Sequence, residues 1–157
     1  MRKSGDRKKH FEAAREDVMG KINWGRVLLG GLLAGVIINL FEYLANGVVL
    51  AKRWNAAMMA LGREGMSNMA IAHFIIGGFI LGIGAIWVYA IARPRFGPGP
   101  KTALCTAFGY WIFAYALPNF ETAGMHLFPR RLLLAGTVVG LVELLVASLA
   151  GAAVYKE

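Results

Sequence analysis

The sequence predicts an all-α polytopic membrane protein: a four-transmembrane-helix bundle with an N-terminal amphipathic helix. Three observations predict it. Hydrophobic residues fill 57% of the 157 positions, more than an ordinary soluble domain carries. Four apolar stretches reach or approach the roughly 20 residues needed to cross a hydrocarbon core of about 30 Å. Gly-x-x-x-Gly, a spacing that lets helix backbones approach in lipid, recurs in three of the four. Lipid offers no partner to an unpaired backbone group, so every stretch has to be helical.

The organisation divides into a basic cytoplasmic tail, residues 1–23, and a transmembrane domain, residues 24–157. In the tail, Phe11, Ala14, Val18 and Ile22 follow helical spacing, leaving Lys8, Lys9, Arg15 and Lys21 to face outward. That is the pattern of an interfacial helix lying on anionic headgroups, with a docking arm for a partner as the other reading. The net charge of +8 is concentrated beside membrane spans, which points to lipid headgroups rather than to nucleic acid.

The first span covers 27–50. It is too long for a signal h-region, contains Glu42 and lacks a following small-x-small cleavage site, so it reads as an uncleaved span. The loop AKRWNAAMMALGREGMSN has Trp54, Met58 and Leu61 at helical spacing, predicting a short surface helix anchored by Trp54. The second span covers 69–92. RPRFGPGPK, residues 93–101, predicts a non-helical connection and hence an antiparallel hairpin with the third span. That third span, 102–118, is stopped by Pro118 and is only about 24 Å long; Cys105, the single cysteine, is expected to be a small buried hydrophobe within it. PNFETAGMHLFPRR predicts a second surface cap, and the fourth span runs over 132–155.

Lysine and arginine counts give the orientation. The tail, the 93–101 connection and the C-terminus hold 12, against 5 in the other two loops (Lys52, Arg53, Arg63, Arg130 and Arg131). Positive residues stay inside, so both termini are expected to be cytoplasmic. The glycine pairs Gly31 and Gly35, Gly78 and Gly82, and Gly136 and Gly140 are expected to pack helices, within one chain or across a homodimer. RVLLGGLLAGV from Arg26 and RLLLAGTVVGL from Arg131 align Gly31 with Gly136 and Gly35 with Gly140, a likeness open to either convergence or an inverted repeat.

One stretch is out of character. NLFEYLAN places Asn39, Glu42 and Asn46 at i, i+3 and i+7, on one helix face inside the first span. Counted by depth, they fall level with His73 and Glu143, predicting a polar column of five residues: Asn39, Glu42, Asn46, His73 and Glu143. An ionised carboxylate at mid-membrane costs at least about 2.5 kcal/mol. These groups are therefore expected to turn inward and pair, and at least one of Glu42 and Glu143 to stay neutral at pH 7. The column supports two readings: a hydrogen-bond cluster that fixes packing, or a proton-coupled site.

Other chemistries lack their parts. There is no HExxH, GxSxG or Walker pattern, and only His73 lies in a span, so no metal site, cofactor or enzyme activity is expected, with a membrane enzyme as a distant third reading. Four short helices with a glutamate in the first resemble the small multidrug resistance transporters, a likeness that carries over Glu42 alone. The Asn23-Trp24 entry, VVLAKRW, RPRFGPGPKTA and Glu143 also resemble uncharacterised small four-helix bacterial membrane proteins of the domain-of-unknown-function type. That resemblance implies a bacterial inner membrane and four spans. The sequence reading is therefore an inner-membrane bundle, either a homo-oligomer or an accessory subunit of a larger assembly, with a small proton-coupled transporter as the alternative.

Overall fold

The computed structural model describes residues 22–155, and among these every regular element is a helix. Helix α1 spans Trp24–Glu42 and continues through a π-helical segment, Tyr43–Val49. A short helix α2 follows over Ala51–Ala60, then the long α3 over Asn68–Phe96. Helix α4, Pro100–Trp111, passes through a second π segment, Ile112–Ala116, into α5, Leu117–Gly124. Helix α6 closes the chain over Arg130–Val154. The N-terminal amphipathic helix expected within 1–23 lies almost wholly outside the described residues.

Three of these helices are long and apolar enough to cross a membrane: Trp24–Val49, Asn68–Phe96 and Arg130–Val154, with mean hydropathies of 2.0, 2.2 and 2.3. Their packing is inverted relative to a soluble bundle. The shared core is rich in small residues, including Ala34, Ala85, Ala90, Ala103 and Ala147, while Leu32, Val36, Leu40, Phe74, Ile80, Phe113 and Leu134 point outward. A soluble monomer seldom exposes so much large apolar surface, whereas lipid-facing helices do so as a rule.

Helix α1 packs chiefly on α3 and next on α6, whereas α4 packs on α6 and α3. At one end of the bundle, the start of α1, the end of α3 and the end of α6 meet. There Asn23 N donates to Tyr155 Oη at 3.2 Å and Arg26 Nη1 to Val154 O at 3.3 Å. The Tyr89 and Tyr155 rings meet edge to face at 6.0 Å, and Arg93 lies 5.5 Å from the centre of the Tyr155 ring. At the opposite end, α2 folds over the bundle, with Leu50, Ala57 and Leu132 buried together beside Trp54 and Phe128.

The prolines act differently from the sequence expectation. Pro94 lies inside α3, which runs on to Phe96, so the non-helical connection narrows to the residues around Gly97 and Gly99. Both glycines have positive φ, 81° and 126°, which L side chains rarely adopt. Tyr89 Oη accepts from Gly99 N at 3.1 Å and Thr102 Oγ1 donates to Gly97 O at 2.8 Å, clamping this turn. Pro118 does not stop the third apolar stretch either. The π segment just before it provides the wider turn, with Leu117 N bonded to Ile112 O, and the helix resumes to Gly124. A π turn relieves the clash between a proline ring and the carbonyl one turn back. The connection expected as a surface cap is thus largely helix, and Cys105 is exposed rather than buried.

The glycines divide by use. A Cβ on Gly82 would lie 2.6 Å from Gly31 O and 2.7 Å from Gly35 Cα, and one on Gly78 would strike Asn39. Gly31 and Gly35 in turn lie against the backbone at Ile83 and Phe79, so α1 and α3 touch main chain to main chain. Gly140 instead receives the Tyr115 ring, and Gly136 has nothing within 4 Å. Positions that align in the two similar segments therefore make unlike contacts.

Substituting Gly82→Leu should separate α1 from α3 and cost about 1–3 kcal/mol, the usual range for overpacking. Gly136→Ala should leave stability unchanged. Thermal unfolding in mild detergent distinguishes the two.

Candidate intramembrane polar site

Glu143 sits midway along α6 and is 0% exposed. Its Oε1 accepts a hydrogen bond from Tyr115 Oη. Its Oε2 is buried without a hydrogen-bond partner among the described residues. Tyr115 reaches it from the second π segment, and it can do so because Gly140, one helical turn before Glu143, has no side chain. A Cβ there would lie 2.6 Å from Tyr115 Cγ. The glycine works as the seat of a tyrosine ring rather than as a groove for a helix.

Glu42 approaches from the last turn of α1. Its Oε2 accepts from Asn46 Nδ2 at 2.6 Å, and Asn46 Oδ1 accepts from Trp54 Nε1 at 2.9 Å. A continuous chain of hydrogen bonds thus runs from α2, at the rim of the bundle, inward to a half-buried carboxyl. Glu42 is also close enough to Glu143 and Tyr115 to interact with both electrostatically.

Both π segments adjoin this site. Glu42 immediately precedes the first, Asn46 lies within it, and Tyr115 lies within the second. Leu50 N bonds to Ala45 O at 2.7 Å, the i to i−5 pattern that marks the wider turn. An inserted π turn rotates the following side chains relative to a regular helix, and such turns occur often at functional sites.

The structure bonds Asn46 to Glu42 and sets Glu143 within electrostatic range of Glu42, and it gives Asn39 and His73 other partners. Asn39 Nδ2 donates to Gly35 O at 2.9 Å and to Ile75 O at 3.2 Å, stitching α1 to α3. His73 is exposed, and its Nδ1 lies 2.7 Å from Met69 O on its own helix. Helical spacing and counted depth put these five residues in one column; which side chains meet across helices is fixed by neither. In exchange the site gains Trp54, expected from the sequence only as a surface anchor, and Tyr115. The one available signal was the Tyr115–Pro118 spacing, since a proline inside an apolar helix calls for a local rearrangement of just this kind. Ser148, 1% exposed, adds a second buried side-chain oxygen without a partner among the described residues.

A second polar set joins α4 and α5 to α6 nearby. Trp111 Nε1 donates to Thr137 O at 2.9 Å, and Asn119 Nδ2 donates to Thr137 Oγ1 at 2.8 Å. Here each donor finds an acceptor, and Thr137 passes its own proton back to Leu133 O at 2.8 Å. This set is closed, whereas the carboxyl site is open by one oxygen.

Among the described residues, no three His, Cys, Asp or Glu side chains gather as metal ligands. Two carboxyls, a phenol and an amide suit a single positive charge, a proton or a monovalent cation, since opposite charge between two carboxylates is strongly favoured where the dielectric is low. No protein family, curated protein or solved structure matches the chain.

Tyr115→Phe should destabilise the protein by about 1–3 kcal/mol, because it leaves both oxygens of a buried carboxyl without a donor. The double change Tyr115→Phe with Glu143→Leu should recover part of that loss, since an apolar pair leaves nothing unpaired. Thermal midpoints of the three proteins in detergent check both expectations.

Proposed function

We propose that the chain is a small bacterial inner-membrane protein in which Glu42 and Glu143 take up and release protons, coupled to movement of a cationic or polar solute. The observation that carries this reading is Glu143 Oε2, an acceptor buried in the middle of an apolar helix without a partner among the described residues. A carboxyl whose only task is packing gains by having both oxygens paired, because each unpaired buried group costs stability. An ionisable residue inside a membrane more often serves proton or ion handling.

A fourth crossing by α4 and α5 supports the topology. Their helical path is about 37 Å long at 1.5 Å per residue, and it begins next to the end of α3 and leads to the start of α6. The end of α6 lies beside the start of α1 and the end of α3, so a chain leaving α3 has to traverse the bundle to enter α6. Tyr110, Trp111 and Tyr115 lower the apolar character of this path without adding a charge. Both ends of the chain then lie on one side, the cytoplasmic one by the distribution of basic residues. In this orientation the Trp54–Asn46–Glu42 chain leads in from the outer face.

A second reading is favoured by Asn39: the polar groups serve as interhelical fasteners in a homo-oligomeric or accessory subunit. Asn39 bonds directly across to Ile75 O, and such bonds contribute about 0.6 kcal/mol each in membranes.

In proteoliposomes with an imposed pH gradient, the parent should show proton flux that Glu143→Gln abolishes and Glu42→Gln reduces, with thermal midpoints close to the parent. No flux in the parent, together with a large stability loss in both variants, would leave only the fastening role. The topology has its own check in a Cys105→Ser background. Cysteines placed at Glu64 and His126 should react with an impermeant reagent added outside cells, and one placed at Lys101 should not.

A further inference from the structure

At the α2 end of the bundle, a groove of about 670 Å³ opens between α2 and the 125–129 connection. Its floor is apolar, with Ala57 and Leu132 buried and Phe128 half-buried. Its rim is basic, with Arg53 from α2, Arg131 from α6 and His126 between them. We infer that this groove holds the phosphate headgroup of an anionic membrane phospholipid.

Three observations converge on that ligand. Arg53, Arg131 and His126 come from separate segments onto one opening, yet none makes a side-chain hydrogen bond or ion pair among the described residues. Within that set they are basic groups without counter-charges. Secondly, the first turn of α6 abuts the groove, and its N-cap, Pro129, supplies no side-chain cap to the free backbone N–H groups there, a setting that favours an anion. Thirdly, the remaining lining is apolar and includes exposed Leu127, a surface suited to the glycerol and upper acyl chain of a lipid. A small soluble anion would leave that floor in contact with water.

The proposed orientation adds a topological reason. Arginine on the translocated side of a membrane works against the topology signal, so two arginines converging there call for a cause of their own. A bound headgroup supplies one. This ligand is distinct from the lipid surface expected at the basic tail, since α1, which the tail precedes in sequence, starts at the opposite end of the bundle, and it does not depend on proton handling by the carboxyl pair.

The test uses the full chain extracted with its native lipids in mild detergent, then returned to nanodiscs containing phosphatidylglycerol. Retained lipid is counted by native mass spectrometry for the parent, Arg53→Gln, Arg131→Gln, the double variant, and Arg95→Gln at the opposite end. Arg53, Arg131 and Arg95 are all exposed, and matching thermal midpoints establish that each variant is folded. Lipid retention should fall about fivefold for each groove arginine and about 30-fold for both. Arg95→Gln should match the parent, and millimolar inorganic phosphate should not displace the lipid. Equal retention in the double variant would overturn the assignment, as would an equal fall in Arg95→Gln. Displacement by inorganic phosphate would replace the lipid with a soluble anion and overturn it as well.

Discussion

The closest constraint in the molecule is the meeting of α1 with α3, where Gly31 and Gly35 lie against Gly82 with no side chain between the backbones. In lipid the hydrophobic effect does not drive helices together, so shape and van der Waals contact have to do so. Glycine makes that possible by removing the atoms that would hold two backbones apart. The rest of the bundle depends on the position this contact gives α1. Held on α3 along one face, it offers Ala34 and Ile38 to α6 along another, and its last turn carries Glu42 toward Glu143.

Aiming the polar groups required a departure from regular helix. Regular turns would place Glu42 and Asn46 on a face fixed by the α1 packing, and would leave Tyr115 on a face fixed by α4. Each π segment adds a residue to one turn and so resets the azimuth of the side chains beyond it. The first allows Asn46 to bridge Glu42 to Trp54; the second brings Tyr115 to Glu143 and absorbs Pro118 in the same step. Wider turns weaken the local ladder, and their occurrence beside both Glu42 and Tyr115 ties the irregularity to the site rather than to the ends of the helices.

How much of this was legible in the sequence depends on the kind of signal. Length and hydropathy gave the long helices, because a membrane crossing demands a long run of apolar residues and nothing else disguises it. Proline was misleading at Pro94 and Pro118, since its sequence signature is the same whether a helix ends or bends around it. His73 fell in with Asn46, and Asn39 with Glu143, because depth and the face of a single helix can be counted in a sequence while the relative rotation of two helices cannot. Tyr115 was invisible as a site residue for a related reason: its role depends on Gly140, on a helix connected to it through the full α5 turn. The Gly136–Gly140 pair read as a packing groove, yet spacing does not say whether a glycine receives a backbone, a ring or nothing.

The two carboxyls are not equivalent, and their difference assigns them an order in the proposed proton handling. Glu42 is half-buried, and its hydrogen bonds lead away from the centre of the bundle, through Asn46 to Trp54 at the rim. Glu143 is fully buried, and its one hydrogen bond among the described residues comes from a tyrosine that is itself largely enclosed. A charge entering from the α2 end along these groups therefore meets Glu42 before Glu143. The unpaired oxygen belongs to the inner member, where an arriving proton gains most because no other described group competes for it. Ser148, also without a partner among the described residues and deeper along α6, continues this gradient toward the Tyr89–Tyr155 end. Along the series Trp54, Asn46, Glu42, Glu143 and Ser148, pairing thus falls from the rim inward, an arrangement suited to the proposed entry of a charge, whereas Asn39 and the Thr137 set hold helices together.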